Sequence, residues 1–405
     1  MTTVTVAGAG GQIIHLDYSS SANVGLARQL AAVITAGVDG GTIIPVVDTG
    51  ASPPTLAPGE IGEFIQTIDG ATMLTSGYDA VVVTAQDAVI FGSGDANQIV
   101  LSSKGNLDFF VGGTSASGSI AAGGGDNRIV IASSDTGNWL ITGGNGGDDI
   151  EALGRGSDTI EAGSGHNAIV LGGGAALVQS SGDDSVLAGS GAATIVAIGR
   201  HDDLVYGGSG PLLFVGGDGP ATVLGGRGSV TVFGGDGTMF ASGGSDGDNL
   251  LMAGSGKATL AGGGNGDTLF AGGSQAQSLR AAGGNETLFA GFASGSVTLQ
   301  AGSGHDLLIA GFGNETLLAG SGTATMTGGF GNDVFGFVKG EAGGSDLVQN
   351  FGGGDKVDLV GYGKHAIEDA LKSQTVAGGS VTITLRDNTK VTFAGISSLN
   401  RGDFM

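Results

Sequence analysis

Large aliphatic residues recur along this chain at intervals of about nine, each inside a short extended run that is followed by a cluster of glycines. The clearest stretch is residues 143–161, GGNGGDDIEALGRGSDTIE, two consecutive copies of one nine-residue pattern. Written out, it is glycine, glycine, any residue, glycine, any residue, an acid, any residue, a large aliphatic, any residue. Residues 143–151 fit it throughout, and residues 153–161 fit with Leu153 in place of the first glycine. From about Val81 the register can be followed to Gly336. Its position-eight residues run from Ile99, Phe109 and Ile120 through Ile141, Ile150 and Ile160 to Leu187 and Val196. After a break at Ala241 they resume with Leu250, Leu260 and Leu269 and end at Phe335.

Such a period predicts stacked coils. The glycine half turns the backbone through conformations with φ > 0, which glycine adopts at little steric cost, and the second half is extended. Two units make one flattened coil whose position-eight side chains point inward, so a core forms only when many copies stack. At about 18 residues per coil, some 250 residues predict roughly 14 coils of parallel β-solenoid. Keeping the phase requires single-residue insertions near Ala152, Met252 and Ala271 and longer ones near Ala132 and Gly291.

The flanks read differently. Residues 1–78 predict a small α/β cap, with strands at 3–7, 12–17 and 42–47, a helix at 22–36 capped by Ser19, Ser20 or Ser21 and stopped by Gly37, and a strand at 61–68. The opening VTVAGAGG is not a dinucleotide-binding turn, because Ile13 holds the third glycine position and a strand follows where a helix should begin. Residues 79–337 are the solenoid. Residues 338–405 predict a C-terminal cap with a helix at 365–372 and strands at 380–385 and 390–393.

Composition narrows the partners. Glycine is 86 of 405 residues, yet 40% apolar residues and only 6 prolines exclude collagen, proline-rich linkers and simple disorder. The formal charge, 15 − 38 = −23, argues against nucleic acid or an anionic membrane surface and for divalent cations. There is no cysteine, no apolar run of the roughly 18 residues that span a membrane, and no basic start followed by an apolar stretch.

The nonapeptides resemble those of RTX (repeats-in-toxin) β-roll proteins. The run GNDVFGF at 331–337, followed by SDLVQNFGGGDKVDLVGYG at 345–363, is similar to the end of the roll in serralysin-type exoproteins, and the Asp403-Phe404 ending resembles their type I secretion region. The resemblance implies Ca²⁺ as cofactor, held at the turns by position-six acids and backbone carbonyls, which supply the six to eight oxygens that ion prefers. The candidate ligands are Asp148, Asp158, Asp203, Asp248, Asp267, Glu286, Asp306, Glu315 and Asp333, with Asp346, Asp355 and Asp358 beside the closing segment. Alternate repeats share an edge, so Asp248, Asp267, Glu286 and Asp306 form one series, Glu315 and Asp333 another, and Asn167 stands beside Asp148. Position six is Asn at 97, 127 and 167, and apolar at Leu212, Ala221 and Val230. Asp and Asn are also ordinary turn formers, and for the isolated Asp203 that reading is the plainer one.

No catalytic constellation is visible. There is no H-E-x-x-H helix, His15, His166, His201, His305 and His365 are scattered, and no glycine turn is followed by a Lys-Ser/Thr pair. Asp17, Tyr18, Asp39 and Asp48 in the N-terminal module suggest no chemistry, and Arg401-Gly402-Asp403 reads as coincidence. The expectation is a secreted, non-enzymatic, calcium-influenced structural protein of a Gram-negative bacterium. It would leave by type I secretion and self-associate into a surface layer, matrix or filament. The alternatives are an adhesin or polysaccharide-binding module, which calls for a row of exposed aromatics that Phe109, Phe110, Trp139 and Tyr206 are too dispersed to make, and an enzyme with its site in the first 80 residues.

Overall fold

The structure, a computed structural model, describes residues 1–18, 21–95 and 97–405. Residues 1–212 and 213–405 form two compact units, and in each the chain alternates between two parallel sheets. Each strand pairs with the next but one. In the first unit Trp139–Thr142 lies beside Asp158–Glu161, which lies beside Ala176–Ser180, while Asp149–Ala152, Ala168–Leu171 and Ser185–Leu187 build the other sheet. These are runs of three to five residues with β-branched or aliphatic side chains at every second position, so one face of each is apolar. Register stacks like on like: Ile141 on Ile160 on Val178, and Ile129 on Ile150 on Ile169, all buried.

The second unit repeats this with leucine. Leu251, Leu269, Leu288, Leu308 and Met326 stack in one sheet, and Ala241, Leu260, Leu279, Leu299, Leu317 and Phe335 in the other. Ala241 therefore continues the series that it was expected to break. Four inward positions are shifted by one from the nine-residue count: Val100, Val186, Ile195 and Leu251 face the core where Ile99, Leu187, Val196 and Leu250 were expected. Coil length is the reason. Ile141, Ile160, Val178 and Ile195 are in register but 19, 18 and 17 residues apart, and a one-residue slip sends a strand side chain to the opposite face.

Most turn glycines serve close approach and not left-handed geometry. A Cβ at Gly144, whose φ is not positive, would lie 1.5 Å from the carbonyl oxygen of Gly123 in the neighbouring coil. Gly163 and Gly165, at φ 88° and 128°, show the expected left-handed role.

The N-terminal module lies along the flank of the first coils. Strands Thr2–Ala7 and Ile13–Tyr18 form an antiparallel hairpin, and Gly10 and Gly11 at φ 66° and 78° make its turn. Helix Ser21–Asp39 packs with the hairpin onto Ile65, Ala80, Val82, Leu101 and Ala121. The Asn23 amide donates to the carbonyls of Ala122 and Gly143, which ties the helix to the coils. The helix runs through Gly37 and ends before Gly41, whose left-handed φ of 70° closes it; Ser19 and Ser20, expected as its caps, lie outside the described residues. The solenoid ladder starts ahead of residue 79, since Ile43–Val47 pairs in parallel with Ile61–Gln66, and Ile61–Gln66 with Tyr78–Val83.

Glu63, on Ile61–Gln66, is fully buried with no hydrogen bond to either carboxylate oxygen, and burial pushes its pKa up to about 7 from 4.5. The folded state thus holds a proton that the unfolded state has lost. The resulting stability is full below pH 4.5 and is lost as pH rises through 7. Glu63→Gln is expected to stabilise the protein by roughly 3 kcal/mol at pH 8 and hardly at all at pH 4, read by denaturant unfolding at both values.

At the other end of the chain, Lys390–Phe393 pairs in parallel with Ser345–Gln349 and antiparallel with Ser380–Thr384, and helix Ala366–Lys372 precedes them. The Met405 amide donates to the Val357 carbonyl at 3.1 Å, closing the last strand of the second sheet, Lys356–Val360.

Candidate metal centre in the coil turns

Position six precedes each strand's inward aliphatic by two residues, so period two places its side chain inside the coil as well. There each acid meets two sets of amides. One oxygen accepts from the amide four residues earlier in its own turn, as Asp148 does from Gly144 (2.8 Å), Asp267 from Gly263 (2.6 Å), Asp306 from Gly302 (2.6 Å) and Asp333 from Gly329 (3.1 Å). The other accepts from the position-six amide of the preceding coil. In this way Asn127 donates to Asp148, Asn249 to Asp267, Glu286 to Asp306, Glu315 to Asp333 and Asp333 to Asp355. Turn acids become rungs of a ladder between coils.

Ten of the twelve candidate ligands lie inward on these ladders or their ends: Asp148, Asp158, Asp203, Asp267, Glu286, Asp306, Glu315, Asp333, Asp346 and Asp355. Asp248 does not. It is exposed at φ 53°, and Asn249 stands in register with Asp267 in its place, so the series is Asn249, Asp267, Glu286 and Asp306. Asp358 lies opposite Gly336, one residue beyond the inward Val357, and is half-exposed. Asn167 does stand beside Asp148, accepting its amide at 2.9 Å. Asp203 is not isolated. Its neighbour in register is Asp184, which the nine-residue count passed over, and Ser180 donates to both. Either member of the Asp183-Asp184 pair fits the repeat by sequence. The fold turns Asp184 inward and leaves Asp183 outside, 3.4 Å from His166, its pKa lowered chiefly by the Asp202 amide. Gln98 likewise takes the inward place expected of Asn97.

Burial raises the inner carboxyls. Asp148, Asp158 and Asp203 are pushed up to about 6 and Asp346 to about 7, against amide and hydroxyl hydrogen bonds that pull each down. Glu286 differs in kind. It is 1% exposed, neither carboxylate oxygen has a partner, and burial together with the flanking Asp306 and Asp267 raises its pKa strongly. Oδ2 of Asp346 is also buried and unpartnered.

The aromatics weighed as a binding row do not form one. Phe109 and Trp139 are core residues, with the Trp139 indole N–H donating to Asp135 at 2.9 Å, and Phe110 stacks on Phe91 beneath the Arg128 guanidinium.

A family model of the RTX calcium-binding nonapeptide repeat matches four stretches, residues 142–177, 215–238, 280–317 and 298–326. No curated protein matches the chain. Calcium is thus the implied metal, and the ladders differ in how well they suit it. Where both oxygens already hold amides, as at Asp148, Asp267 and Asp333, the carboxylate is satisfied without a cation. Glu286, with two buried orphan oxygens, fits one, and Asp267 and Asp306 flank it. Among the described residues no three acidic or histidine side chains converge, so an ion there draws most of its oxygens from turn carbonyls. Bound there, Ca²⁺ supplies the positive charge that a buried, ionised Glu286 lacks. The ladder that holds Glu286 lies within the third and fourth matched stretches, and that of Asp148 and Asn167 within the first: the chain is an RTX repeat protein, and its repeat is of a calcium-binding kind.

Proposed function

We propose that this protein is a secreted, non-enzymatic structural subunit whose copies associate, in calcium, into an extracellular layer, matrix or filament. RTX repeat proteins are typically exported by type I secretion, and no helix among the described residues is long and apolar enough to cross a membrane. The tail that resembles the serralysin secretion region, residues 338–405, is the address in this reading, and the cell surface of a Gram-negative bacterium the destination.

The observation that carries the reading is an open strand edge in each unit. Gly70–Met73 pairs only with Asp87–Phe91 and ends its sheet, and Thr375–Ala377, exposed throughout, pairs only with Ser380–Thr384. Unpaired edges are templates for another chain unless they are blunted. The neighbouring first strand, Ile43–Val47, is blunted by Pro45; these two are not. The test is to purify the chain in chelator, add millimolar Ca²⁺, and follow far-UV circular dichroism and electron microscopy. Ordered sheets or filaments appearing with calcium support the proposal, and a stable monomer overturns it.

A further inference from the structure

Residues 281–338 contain four acidic side chains, Glu286, Asp306, Glu315 and Asp333, no Lys or Arg, and His305. All four acids are buried. In a chain of net charge −23 this stretch presents a nearly uncharged surface.

The same stretch exposes an aromatic row. Phe289, Ile309 and Thr327 are in register on three successive strands of one sheet, Thr287–Ala293, His305–Ile309 and Thr323–Thr327. Three residues beyond each comes a phenylalanine, Phe292, Phe312 and Phe330, and these are 67%, 70% and 70% exposed. Phe312 and Phe330 stack with centroids 5.4 Å apart and planes within 3°. Phe292 packs against Phe289 at 5.1 Å and Phe270 at 6.1 Å. At roughly two-thirds exposure three such rings offer on the order of 400 Å² of apolar surface, a patch of the size that marks a contact on a monomer.

We infer that this phenylalanine edge is where a second copy of the chain docks, edge against edge about a twofold axis; the inference rests on the self-association reading above and names its surface. Charge selects the occupant. Two polyanions repel everywhere except through an uncharged face, and a twofold contact brings one neutral row against its own copy. An anionic bilayer finds no Lys or Arg within 281–338 to attract it. A sugar needs open ring faces with hydrogen-bonding groups beside them, whereas Phe312 and Phe330 turn a face to each other. The outward row suits rings of another copy, interleaved.

Sedimentation velocity of the full chain in Ca²⁺, over a range of concentrations and at low and high salt, tests this with the triple variant Phe292→Ser, Phe312→Ser, Phe330→Ser. The native chain is expected to associate reversibly, no more weakly in high salt, and the variant at least about ten-fold more weakly with its circular dichroism unchanged. Phe330→Cys alone, in a chain with no other cysteine, is expected to give a disulfide-linked dimer on mild oxidation. A triple variant that assembles like the native chain, with no cross-linked dimer, overturns this surface and leaves the self-association reading standing. A native chain that stays monomeric overturns both, and its binding to dextran or to phosphatidylcholine vesicles would assign the edge to that occupant.

Discussion

Gly304→Ala is expected to destabilise the protein by more than about 3 kcal/mol, beyond the usual range for overpacking. A Cβ at Gly304 would lie 1.3 Å from the carbonyl oxygen of Gly284 and 2.3 Å from its carbon. Both are backbone, so no side chain can swing aside. The coils would have to part where the His305 amide donates to Gly284 at 3.0 Å and the Leu307 amide to Glu286 at 2.9 Å. Gly352→Ala is the control: φ there is not positive and nothing lies within 4 Å of a Cβ, so its effect is expected to stay within about 0.5 kcal/mol. Denaturant unfolding of both variants in excess calcium reads the difference. Equal losses would show that the turns need glycine for a reason other than coil contact.

Glu286→Gln is expected to act in opposite directions with and without calcium. In chelator at pH 8 it removes a buried carboxyl with no hydrogen-bond partner, and stability rises by on the order of 3 kcal/mol. In millimolar Ca²⁺ the variant lacks the charge the ion needs, so most of the calcium-induced rise in melting temperature is lost. Asp148→Asn provides the contrast. Asp148 already bonds the amides of Gly144 and Asn127, so its substitution costs about 1–2 kcal/mol whether or not calcium is present. Melting curves of the two variants in chelator and in calcium separate the roles, and a calcium response in Glu286→Gln equal to that of the native chain would remove Glu286 from the metal centre.

Sequence by itself determined the architecture. A nine-residue period with glycines in one half and an inward aliphatic in the other has few solutions besides a parallel solenoid, because each unit buries its apolar side chain only against its neighbours. Ile141 on Ile160 and Leu269 on Leu288 stack as that period requires, and the closing strands after residue 338 were legible from alternation alone. Tertiary structure decided whatever depends on phase or on neighbours in space. Coil length varies by a residue, so only the completed register turns Val186 inward over Leu187 and Asn249 inward over Asp248. The amides that satisfy Asp148 come from the turn of its own coil and from a residue 21 positions earlier, and nothing near Glu286 in the chain distinguishes it from such an acid. Helix Ser21–Asp39 carries no mark in its sequence of the coil flank that it covers. Phe292, Phe312 and Phe330 occupy turns 18 to 20 residues apart and become one surface only because stacking brings successive coils together.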